Sequence, residues 1–394
     1  MNAIALTVMP DRQTLRARVI RRNIVQILIM AAVALVLCGI GYALRQNLAA
    51  RGIAFSFDYL GVSAGFEMSE GLTLQFSYPV GIVTFSSEMT NAQALVAGLF
   101  NTLKVAILAI IGSTILGVLL GVGRLSTNWV IRQLCFYVVE FLRNTPLLIQ
   151  LTFWYVAVVL KFPPLVDAIH WGDIVLAQQG IWIPSIVASP NATPTTIISL
   201  SVAILCLLYA LGTKKTGVRY SCLMGAALLL GWTLFSGFPL ALDTPTVGKF
   251  RATGGFQLTP EFAAVLIAIA VNTSAYLGEI VRGAIESLPK GQWEAAASLG
   301  FSRKYTLRDV ILPQVFRVVL PSFGNQYISL AKNTSLGIAV GFPDLFNTYG
   351  TIANQTGRSM EGVIIVMIVY LLLSWSISAL VNIANRSLSI PGAR

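Results

Sequence analysis

Residues 294–313 read EAAASLGFSRKYTLRDVILP, a charged, helix-forming stretch in a chain that is otherwise strongly apolar. Pro289 suits the first turn of a helix, since its missing N–H would have no partner there, and Glu294 lies near enough to that helix start to favour the helix dipole. Gly300 predicts a left-handed stop. This stretch therefore begins with one short helix that ends at the glycine.

A second short helix is expected to follow the glycine. The Ser302 hydroxyl can cap it, and Pro313 disfavours a helical Leu312 and so marks its end. The small side chains of the first helix would let its backbone sit deep in a groove on another protein. We therefore expect a slim hairpin that works outside the lipid, the plainer alternative being an ordinary amphipathic hairpin in a loop.

The composition of the 394-residue chain is that of a polytopic membrane protein. Hydrophobic residues make up 56% and charged residues 11%, and a soluble domain could not cover so much apolar surface. The net charge of +11 belongs to loops that set the membrane orientation, because no basic run is interleaved with aromatic residues. Membrane lipid is therefore an expected partner, and nucleic acid is not.

The sequence has few of the residues that metal sites, disulfides and enzyme active sites require. The one histidine, His170, is expected at the surface of a loop. The cysteines lie in or beside apolar segments without paired spacing, which favours packing residues over a disulfide or a zinc site. They are Cys38, Cys135, Cys206 and Cys222. We expect no catalytic residue, no metal and no cofactor in this chain.

Eight apolar stretches predict an all-α, polytopic membrane helix bundle of about eight transmembrane helices. The first, residues 24–44, is too long for a signal peptide and has no convincing cleavage site, so we expect an uncleaved anchor. Arginines before it keep the N-terminus in the cytoplasm. They are Arg12, Arg16, Arg18, Arg21 and Arg22. The other spans are expected at about 96–122, after Tyr137, and at about 195–211, 222–238, 262–280, 320–340 and 363–383.

Three features near the second span concern packing. Ser113, Gly117 and Gly121 recur every fourth residue and form a small-residue stripe that lets membrane helices approach closely. Lys104, near the outer end of the span, can snorkel towards the interface. Aromatic residues within 45–95 indicate an extracytoplasmic segment that lies along the membrane surface.

Two sets of polar residues interrupt the apolar stretches. Glu140 and Arg143 are one helical turn apart and can form a structural charge pair, which reduces the cost of holding charge near lipid. Asn325, Ser329 and Lys332 fall at i, i+4 and i+7 on one face of the span after the hairpin. Such residues can form hydrogen bonds between helices, or they can line a path for a polar solute.

Several motifs resemble one family. The hairpin is similar to the EAA loop by which permease subunits of bacterial ABC importers dock on their ATPase. The matching positions are Glu294, Ala295, Ala296, Gly300, Leu312 and Pro313, and Val310 stands where the family usually has isoleucine. Residues 137–148 resemble the Tyr-Val-Glu-Phe-Arg-x-Thr-Pro-Leu-Leu signature of polar amino acid permeases, the histidine and glutamine importer group, and 98–103 resemble the start of that group's first core helix.

The resemblance implies a domain organisation. A five-helix type I ABC importer core would comprise residues 96–160 and 261–385, with the coupling loop at 286–315. The remaining segments would be a cytoplasmic N-terminal segment at 1–23, the anchor at 24–44, an extracytoplasmic loop at 45–95, and an insertion with two extra helices at 161–260. The extension and the insertion are similar to general L-amino acid permeases of the Aap or Bzt type.

The resemblance also implies a function and partners. The chain would be the permease subunit of an ATP-driven importer of L-amino acids in the bacterial inner membrane, with both termini cytoplasmic. Two ATPase subunits, a second permease subunit that is preferably a distinct homologue, and an extracytoplasmic amino-acid-binding protein would assemble with it. The chain has no Gly-x-x-x-x-Gly-Lys-Ser/Thr motif, so ATP and Mg are expected on the ATPase. An ion-coupled secondary transporter is the alternative.

A substrate path is implied as well. Residues 332–336 resemble the Lys-x-Thr-Ser-Leu segment of amino acid permeases, and an amino acid needs acceptors for its ammonium group and donors for its carboxylate. The side chains expected along the path are Asn272, Tyr276, Asn325, Ser329, Lys332, Asn333, Thr334 and Ser335.

Overall fold

The computed structural model describes residues 12–50, 55–75, 81–190, 192–213, 216–248 and 252–388. These divide into two units, residues 1–60 and 61–394. The first contains one long helix, α1 (Arg12–Ala50), and a 3-10 turn that starts at Asp58. Within α1 the stretch Arg21–Ala43 is apolar and long enough to cross a membrane. The expected cytoplasmic segment at 1–23 lies partly outside the described residues.

The second unit is built on a membrane-helix bundle, as the sequence predicts. Its helices are α2 (Asn91–Gly123), α3 (Trp129–Asn144), α4 (Leu147–Phe153), α5 (Pro194–Gly212), α6 (Thr216–Phe235), α7 (Pro260–Ser287), α8 (Lys290–Ser298), α9 (Arg303–Tyr305), α10 (Leu312–Asn333), α11 (Leu345–Thr356) and α12 (Ser359–Leu388). Among the described residues, α2, α6, α7 and α12 join part of α1 as helices long and apolar enough to span a membrane. The other predicted spans fall on α3 with α4, on α5 and on α10, which are shorter or more polar.

Helices α2 and α7 run in the same direction and form the closest contact of the bundle. Gly112 of α2 lies against Ala270 of α7, and Gly121, nine residues further on, lies against Val281. Ser113, Gly117 and Gly121 are all buried. The small-residue stripe therefore brings these two backbones together, as expected for membrane helices without a hydrophobic driving force between them.

Helix α10 runs in the opposite direction to this pair. On α10 the Tyr327 hydroxyl lies 2.7 Å from that of Thr114, while Val340, further along the chain, packs with Val105, so α10 runs opposite to α2. The bundle thus has two ends. We call the end where α2 and α7 finish and α10 begins the hairpin end, because residues 286–315 lie there, and we call the other the strand end.

Short antiparallel strands accompany the strand end, and the prediction of an all-α chain did not include them. They are β1 (Leu72–Gln75), β2 (Gly81–Thr84), β3 (Ile169–Trp171), β4 (Ile174–Ala177), β5 (Gly180–Ile183), β6 (Ser185–Ala188), β7 (Leu240–Asp243), β8 (Thr246–Val247), β9 (Ala252–Thr253) and β10 (Phe256–Leu258). They form the pairs β1–β2, β6–β7 and β8–β9 and a four-stranded sheet in the order β10-β5-β4-β3. His170 lies in β3 and is exposed, as expected for a surface residue.

The insertion contains the two extra helices that the sequence predicts. Helices α5 and α6 pack along each other. Strand β6, which precedes α5, pairs with strand β7, which follows α6. The second helix begins at Thr216, earlier than the predicted start near Cys222, and it ends at Phe235. Arg219, expected in the loop, therefore lies in the first turn of α6.

The segment before α2 contains the antiparallel strand pair β1–β2, which its aromatic residues did not predict. Phe66 packs on Phe85 with ring centroids 6.0 Å apart, and β1 lies against α2. Lys104 does not snorkel. Its ammonium group forms an ion pair with Glu70 and lies 4.5 Å from the ring centroid of Phe262, so a carboxylate and an aromatic face replace water as its partners.

Candidate functional site

A polar cavity of about 410 Å³ opens between the junction of α3 with α4, the middle of α7 and the C-terminal half of α10. Each of these elements contributes polar side chains. The lining includes Arg143, Asn144, Thr145 and Pro146 from the junction, Asn272, Thr273 and Tyr276 from α7, and Gln326, Ser329 and Asn333 from α10. Such a cavity inside a membrane bundle can hold a small polar solute in contact with several hydrogen-bonding groups.

The junction between α3 and α4 is a helix break that Pro146 imposes. The proline keeps Thr145 in an extended conformation, with φ −103° and ψ 126°, so α3 ends at Asn144. The freed carbonyl groups find a partner in Gln150, which is buried and donates to the carbonyl oxygens of Leu142 and Thr145 at 2.8 and 2.9 Å. Broken helices are tolerated in membranes where side chains satisfy the backbone in this way.

Helix α7 forms another wall of the cavity and is hydrogen-bonded to the backbone at this break. The Asn272 amide donates to the Leu142 carbonyl at 3.3 Å, and the Tyr276 hydroxyl donates to the Arg143 carbonyl at 3.5 Å. The Arg143 guanidinium lies 5.8 Å from the Tyr276 ring centroid and 3.7 Å from the Glu140 carboxylate. The Arg143 side chain is 35% exposed and its ion pair is long, so its donors remain accessible from the cavity.

Four of the side chains expected along a substrate path line this cavity. They are Asn272, Tyr276, Ser329 and Asn333. The other four lie elsewhere: Lys332 and Ser335 border a separate depression between α10, α11 and α12, Asn325 is exposed and lines neither space, and the buried Thr334 hydroxyl donates to the Ala331 carbonyl at 2.9 Å.

This division follows from helix geometry. A helix advances 100° per residue, so Gln326, Ser329 and Asn333 share one edge of the polar stripe, while Lys332 lies on its other edge. The junction side chains Arg143, Asn144 and Thr145 were not expected in the cavity. The signal for them was present in residues 137–148, where Pro146 follows three polar residues within an apolar stretch.

An ion-pair network lies between the cavity and the hairpin end. The sequence predicted the pair of Glu140 with Arg143, which the structure contains at 3.7 Å, but not the rest of the network. Arg124, at the end of α2, bridges Glu140 at 3.8 Å and Glu279 of α7. On α7 itself, Arg282 bonds Glu279 and Glu286, each at 2.5 Å. The network therefore ties α2 and α3 to the helix that leads into the hairpin.

The hairpin has the glycine bend that the sequence predicts. Glu294, Ala295 and Ala296 lie on α8, where Ala296 is buried and the other two are exposed. Gly300 has φ +78°, and its N–H donates to the Ala297 carbonyl at 2.9 Å, while that of Phe301 donates to the Ala296 carbonyl at 3.1 Å. This is the Schellman pattern of a helix C-terminus, which requires a left-handed residue at this position.

The second limb of the hairpin differs from the prediction. The Ser302 hydroxyl makes no capping bond, and the limb is the single turn α9 followed by a π-helical turn, Thr306–Ile311, that contains Val310. Leu312 is helical, with φ −57° and ψ −41°, because Pro313 lies in the first turn of α10 where its missing N–H leaves no bond unmade. The limb therefore continues into α10 and does not end at the proline.

The base of the hairpin is fixed to the bundle by an apolar cluster. Ile311 and Val315 pack with Val281 and Ile285 of α7, and all four are buried. A displacement of the hairpin would therefore be transmitted to the end of α7 and the start of α10, and both helices line the cavity further along their length.

At the strand end a buried carboxyl fixes the turn between α10 and α11, outside the candidate spans. Asp344 accepts a hydrogen bond from the Asn347 N–H at 2.9 Å and one from the Tyr370 hydroxyl at 3.2 Å. Burial raises the pKa of the Asp344 carboxyl to about 6, against the hydrogen bonds, which act to lower it. With this cap made, α11 starts next to α2.

Comparison with known proteins identifies the family. Residues 113–390 match the family described as "Binding-protein-dependent transport system inner membrane component", which is more than half of the chain. The general L-amino acid transport system permease protein AapQ of Rhizobium johnstonii is 38% identical, over 87% of this chain and 86% of that protein.

Two further relatives agree with this match. The putative amino-acid ABC transporter permease protein YhdX of Escherichia coli is 35% identical over 94% of this chain and 95% of that protein. The glutamate/glutamine/aspartate/asparagine transport system permease protein BztB of Rhodobacter capsulatus is 32% identical over 87% of this chain and 88% of that protein. The resemblance drawn from the motifs is thereby confirmed. The chain belongs to the family of inner membrane components of binding-protein-dependent transport systems, and it is a membrane-spanning ABC transporter permease subunit, a transport component rather than an enzyme.

Proposed function

We propose that this permease subunit carries L-amino acids inward across the bacterial inner membrane and that the cavity at the α3–α4 junction is where the substrate is held. The observation that carries the proposal is the convergence of Arg143, Asn272, Tyr276 and Asn333 on one polar space of about 410 Å³. The names of these relatives describe amino acid permeases, and one describes general L-amino acid transport, which supports this substrate class.

The chemistry of the lining matches a zwitterion. The accessible Arg143 guanidinium can donate to the substrate carboxylate, and such charge-assisted hydrogen bonds are the strong ones. Amide and hydroxyl oxygens of Asn272, Tyr276 and Asn333 can accept from the ammonium group. Both ends of an amino acid that leaves water are then provided with partners, which is the condition for burying charge at acceptable cost.

Energy for transport would enter through the hairpin. The coupling surface would consist of Glu294, Ala295, Ala296, Gly300, Val310, Leu312 and Pro313 in the segment at 286–315. Two ATPase subunits would dock there and would bind ATP and Mg, while a second permease subunit and an extracytoplasmic binding protein would complete the importer. The apolar base of the hairpin and the ion-pair network above it support a mechanical link to the cavity. The family favours this over the ion-coupled alternative.

The orientation follows from charge. The hairpin end would face the cytoplasm, since it carries Lys290, Arg303, Lys304 and Arg308, and positively charged loops favour that side. With α1 crossing once, both termini would then be cytoplasmic, and the strand end would face outward to receive the substrate.

The structure offers a matched pair of substitutions to test the cavity. Asn333→Ala and Asn325→Ala remove the same side chain from the same helix, but only Asn333 lines the cavity. We expect uptake of radiolabelled amino acids by the assembled importer to fall about tenfold or more in Asn333→Ala, since a lost hydrogen bond to a charged group is worth about 1.5–3 kcal/mol. Asn325→Ala is expected to transport at the parental rate.

Membrane abundance and copurification of the ATPase serve as controls for both variants. Equal uptake by Asn333→Ala and the parent, for acidic, neutral and basic amino acids alike, would rule out this cavity as the substrate site. Uptake that persists without ATP hydrolysis and collapses when the proton or sodium gradient is removed would instead support the ion-coupled alternative.

A further inference from the structure

A second cavity, of about 770 Å³, lies at the hairpin end of the bundle and takes no part in the proposed substrate path. It opens between the end of α2, the loop from α2 to α3, the end of α7 and the hairpin. Its floor is apolar and comes from all of these elements. The floor residues include Val118, Val122, Ile285, Leu288, Trp293 and Leu307. We call this space the basal groove.

The rim of the basal groove is cationic. Lys290, Arg303 and Lys304 line it, and all three are exposed. Among the described residues none of them has a carboxylate within ion-pair distance, and Arg303 donates only to the Leu125 carbonyl, at 3.3 Å. The acidic rim residue, Glu286, is already bonded to Arg282 at 2.5 Å. The rim therefore carries positive charge that the chain itself does not neutralise.

The apolar floor and the unneutralised cationic rim of the basal groove are together complementary to an amphiphilic ligand with a negatively charged headgroup. The floor is formed at the ends of α2 and α7, two helices long and apolar enough to cross a membrane, so it favours acyl chains, which gain from the burial of apolar surface. The rim residues lie beyond the ends of these two helices and favour a phosphate, to which arginine can donate two parallel hydrogen bonds. Basic pockets between membrane helices on the cytoplasmic side bind anionic lipid headgroups for this reason.

We propose that the basal groove is a binding site for an anionic phospholipid of the inner leaflet, with its acyl chains on the apolar floor and its phosphate at Arg303, Lys304 and Lys290. The assignment to the inner leaflet rests on the orientation proposed above. A lipid bound there contacts the end of α2 and both limbs of the hairpin at once. It therefore stabilises one position of the hairpin relative to the bundle, and the lipid composition of the membrane sets how firmly that position is held.

The experiment uses the full-length permease assembled with its partner subunits, delipidated in detergent and then titrated with phosphatidylglycerol or with phosphatidylcholine. Native mass spectrometry counts the bound lipids. Arg303→Gln combined with Lys304→Gln is the test variant, and Arg308→Gln is the matched control, since Arg308 lies on the same hairpin with its side chain 75% exposed and does not line the groove. These substitutions change exposed side chains, so folding is preserved.

We expect phosphatidylglycerol to bind the parent and the Arg308→Gln control alike, and to bind the double variant about thirtyfold more weakly, from roughly 1 kcal/mol for each basic residue near a lipid surface. Phosphatidylcholine binding is expected to be the same in all three. A second variant, Val122→Trp, occupies the floor without changing charge and is expected to weaken phosphatidylglycerol binding as well.

Three outcomes would overturn the proposal. Equal phosphatidylglycerol binding by the parent and the double variant would show that the rim side chains do not bind the lipid. Competition by inorganic phosphate at millimolar concentration, with Val122→Trp unaffected, would make the rim a simple anion site. Lipid that binds the permease after its ATPase subunits have been removed, but that is absent from the complete assembly, would show that the groove belongs to the interface with the ATPase.

Discussion

At the scale of single residues, the contact between α2 and α7 depends on the absence of a β-carbon. A Cβ added at Gly121 would lie 2.6 Å from the carbonyl oxygen of Gly278 and 2.8 Å from the Cβ of Val281, and a backbone atom cannot rotate away. At Gly112, nine residues earlier, the nearest atom would be the Cβ of Ala270 at 3.6 Å, an ordinary contact. The two glycines are therefore not equivalent, although both lie on the same helix.

This difference gives a prediction with an internal control. Gly121→Ala is expected to destabilise the protein by about 1–3 kcal/mol, the usual cost of overpacking a tight interior. Gly112→Ala is expected to be neutral or slightly stabilising, because alanine is the better helix former. The apparent melting temperature of the purified permease in detergent measures both. A Gly121→Ala protein as stable as the parent would mean that the two helices can separate without cost.

At the scale of elements, the hairpin at 286–315 shows how a local backbone requirement becomes a surface for another protein. The left-handed Gly300 ends α8 and turns the chain, which leaves Leu299, 77% exposed, at the tip. The opposite side of the hairpin is anchored through the buried residues Ala296, Thr306 and Ile311. A rigid base and an exposed tip are the properties that a docking element needs.

Substitutions at two glycines distinguish the effect of changing the bend from the effect of adding a side chain to the helix before it. Gly300→Ala places a β-carbon on a left-handed residue, at a cost of roughly 1–2 kcal/mol, whereas Gly291→Ala adds one to a helical position with no atom within 4 Å. We expect Gly300→Ala to lower substrate-stimulated ATP hydrolysis by the assembled importer severalfold with unchanged membrane abundance. Gly291→Ala should retain it. Parental ATPase rates in Gly300→Ala would show that coupling does not depend on the bend.

The same elements show what sequence patterns can and cannot predict. Apolar length predicted the helices, and the glycine predicted the bend, because both are properties of local sequence. The strands of the insertion are two to four residues long and satisfy their backbone only through distant partners, such as β10 with β5. One local signal was nevertheless present. Gly172 and Asp173 form a two-residue turn between β3 and β4, and Gly172 has φ +60°.

The residues of the candidate site also fall into two groups, those that local sequence predicts and those whose place depends on distant parts of the chain. The polar stripe of α10 could be predicted from its spacing, but the edge that faces the cavity depends on where α7 and the α3–α4 break lie. Arg143 illustrates this: its pair with Glu140 follows from helical spacing, whereas its approach to Tyr276 joins residues far apart in the chain. Lys104 was assigned to the interface because Glu70, its ionic partner, lies in a distant loop.

At the scale of the whole molecule, the insertion raises the question of whether α5 and α6 cross the membrane. They contain 19 and 20 residues and so extend about 28–30 Å, close to the thickness of the hydrocarbon core. The start of α5 and the end of α6 connect to the paired strands β6 and β7, on the side of the strand end. If the two helices cross, the connection between them lies on the same side of the membrane as the coupling hairpin.

Cysteine reporters in a variant without the four native cysteines test this arrangement. Ser69 and Thr244 are exposed in the segments that carry the strands, and we expect both to react with an impermeant thiol reagent applied to intact spheroplasts. Thr216, at the start of α6, and Ser302, in the coupling hairpin, are exposed as well but are expected to react only in inside-out vesicles. The vesicles thus control for accessibility at each site. Labelling of Thr216 from outside, with Ser302 protected, would place the inserted helices against the outer surface as a hairpin that does not cross. Labelling of Ser302 from outside would reverse the whole bundle and contradict the charge distribution, because the basic residues of the hairpin would then face away from the cytoplasm.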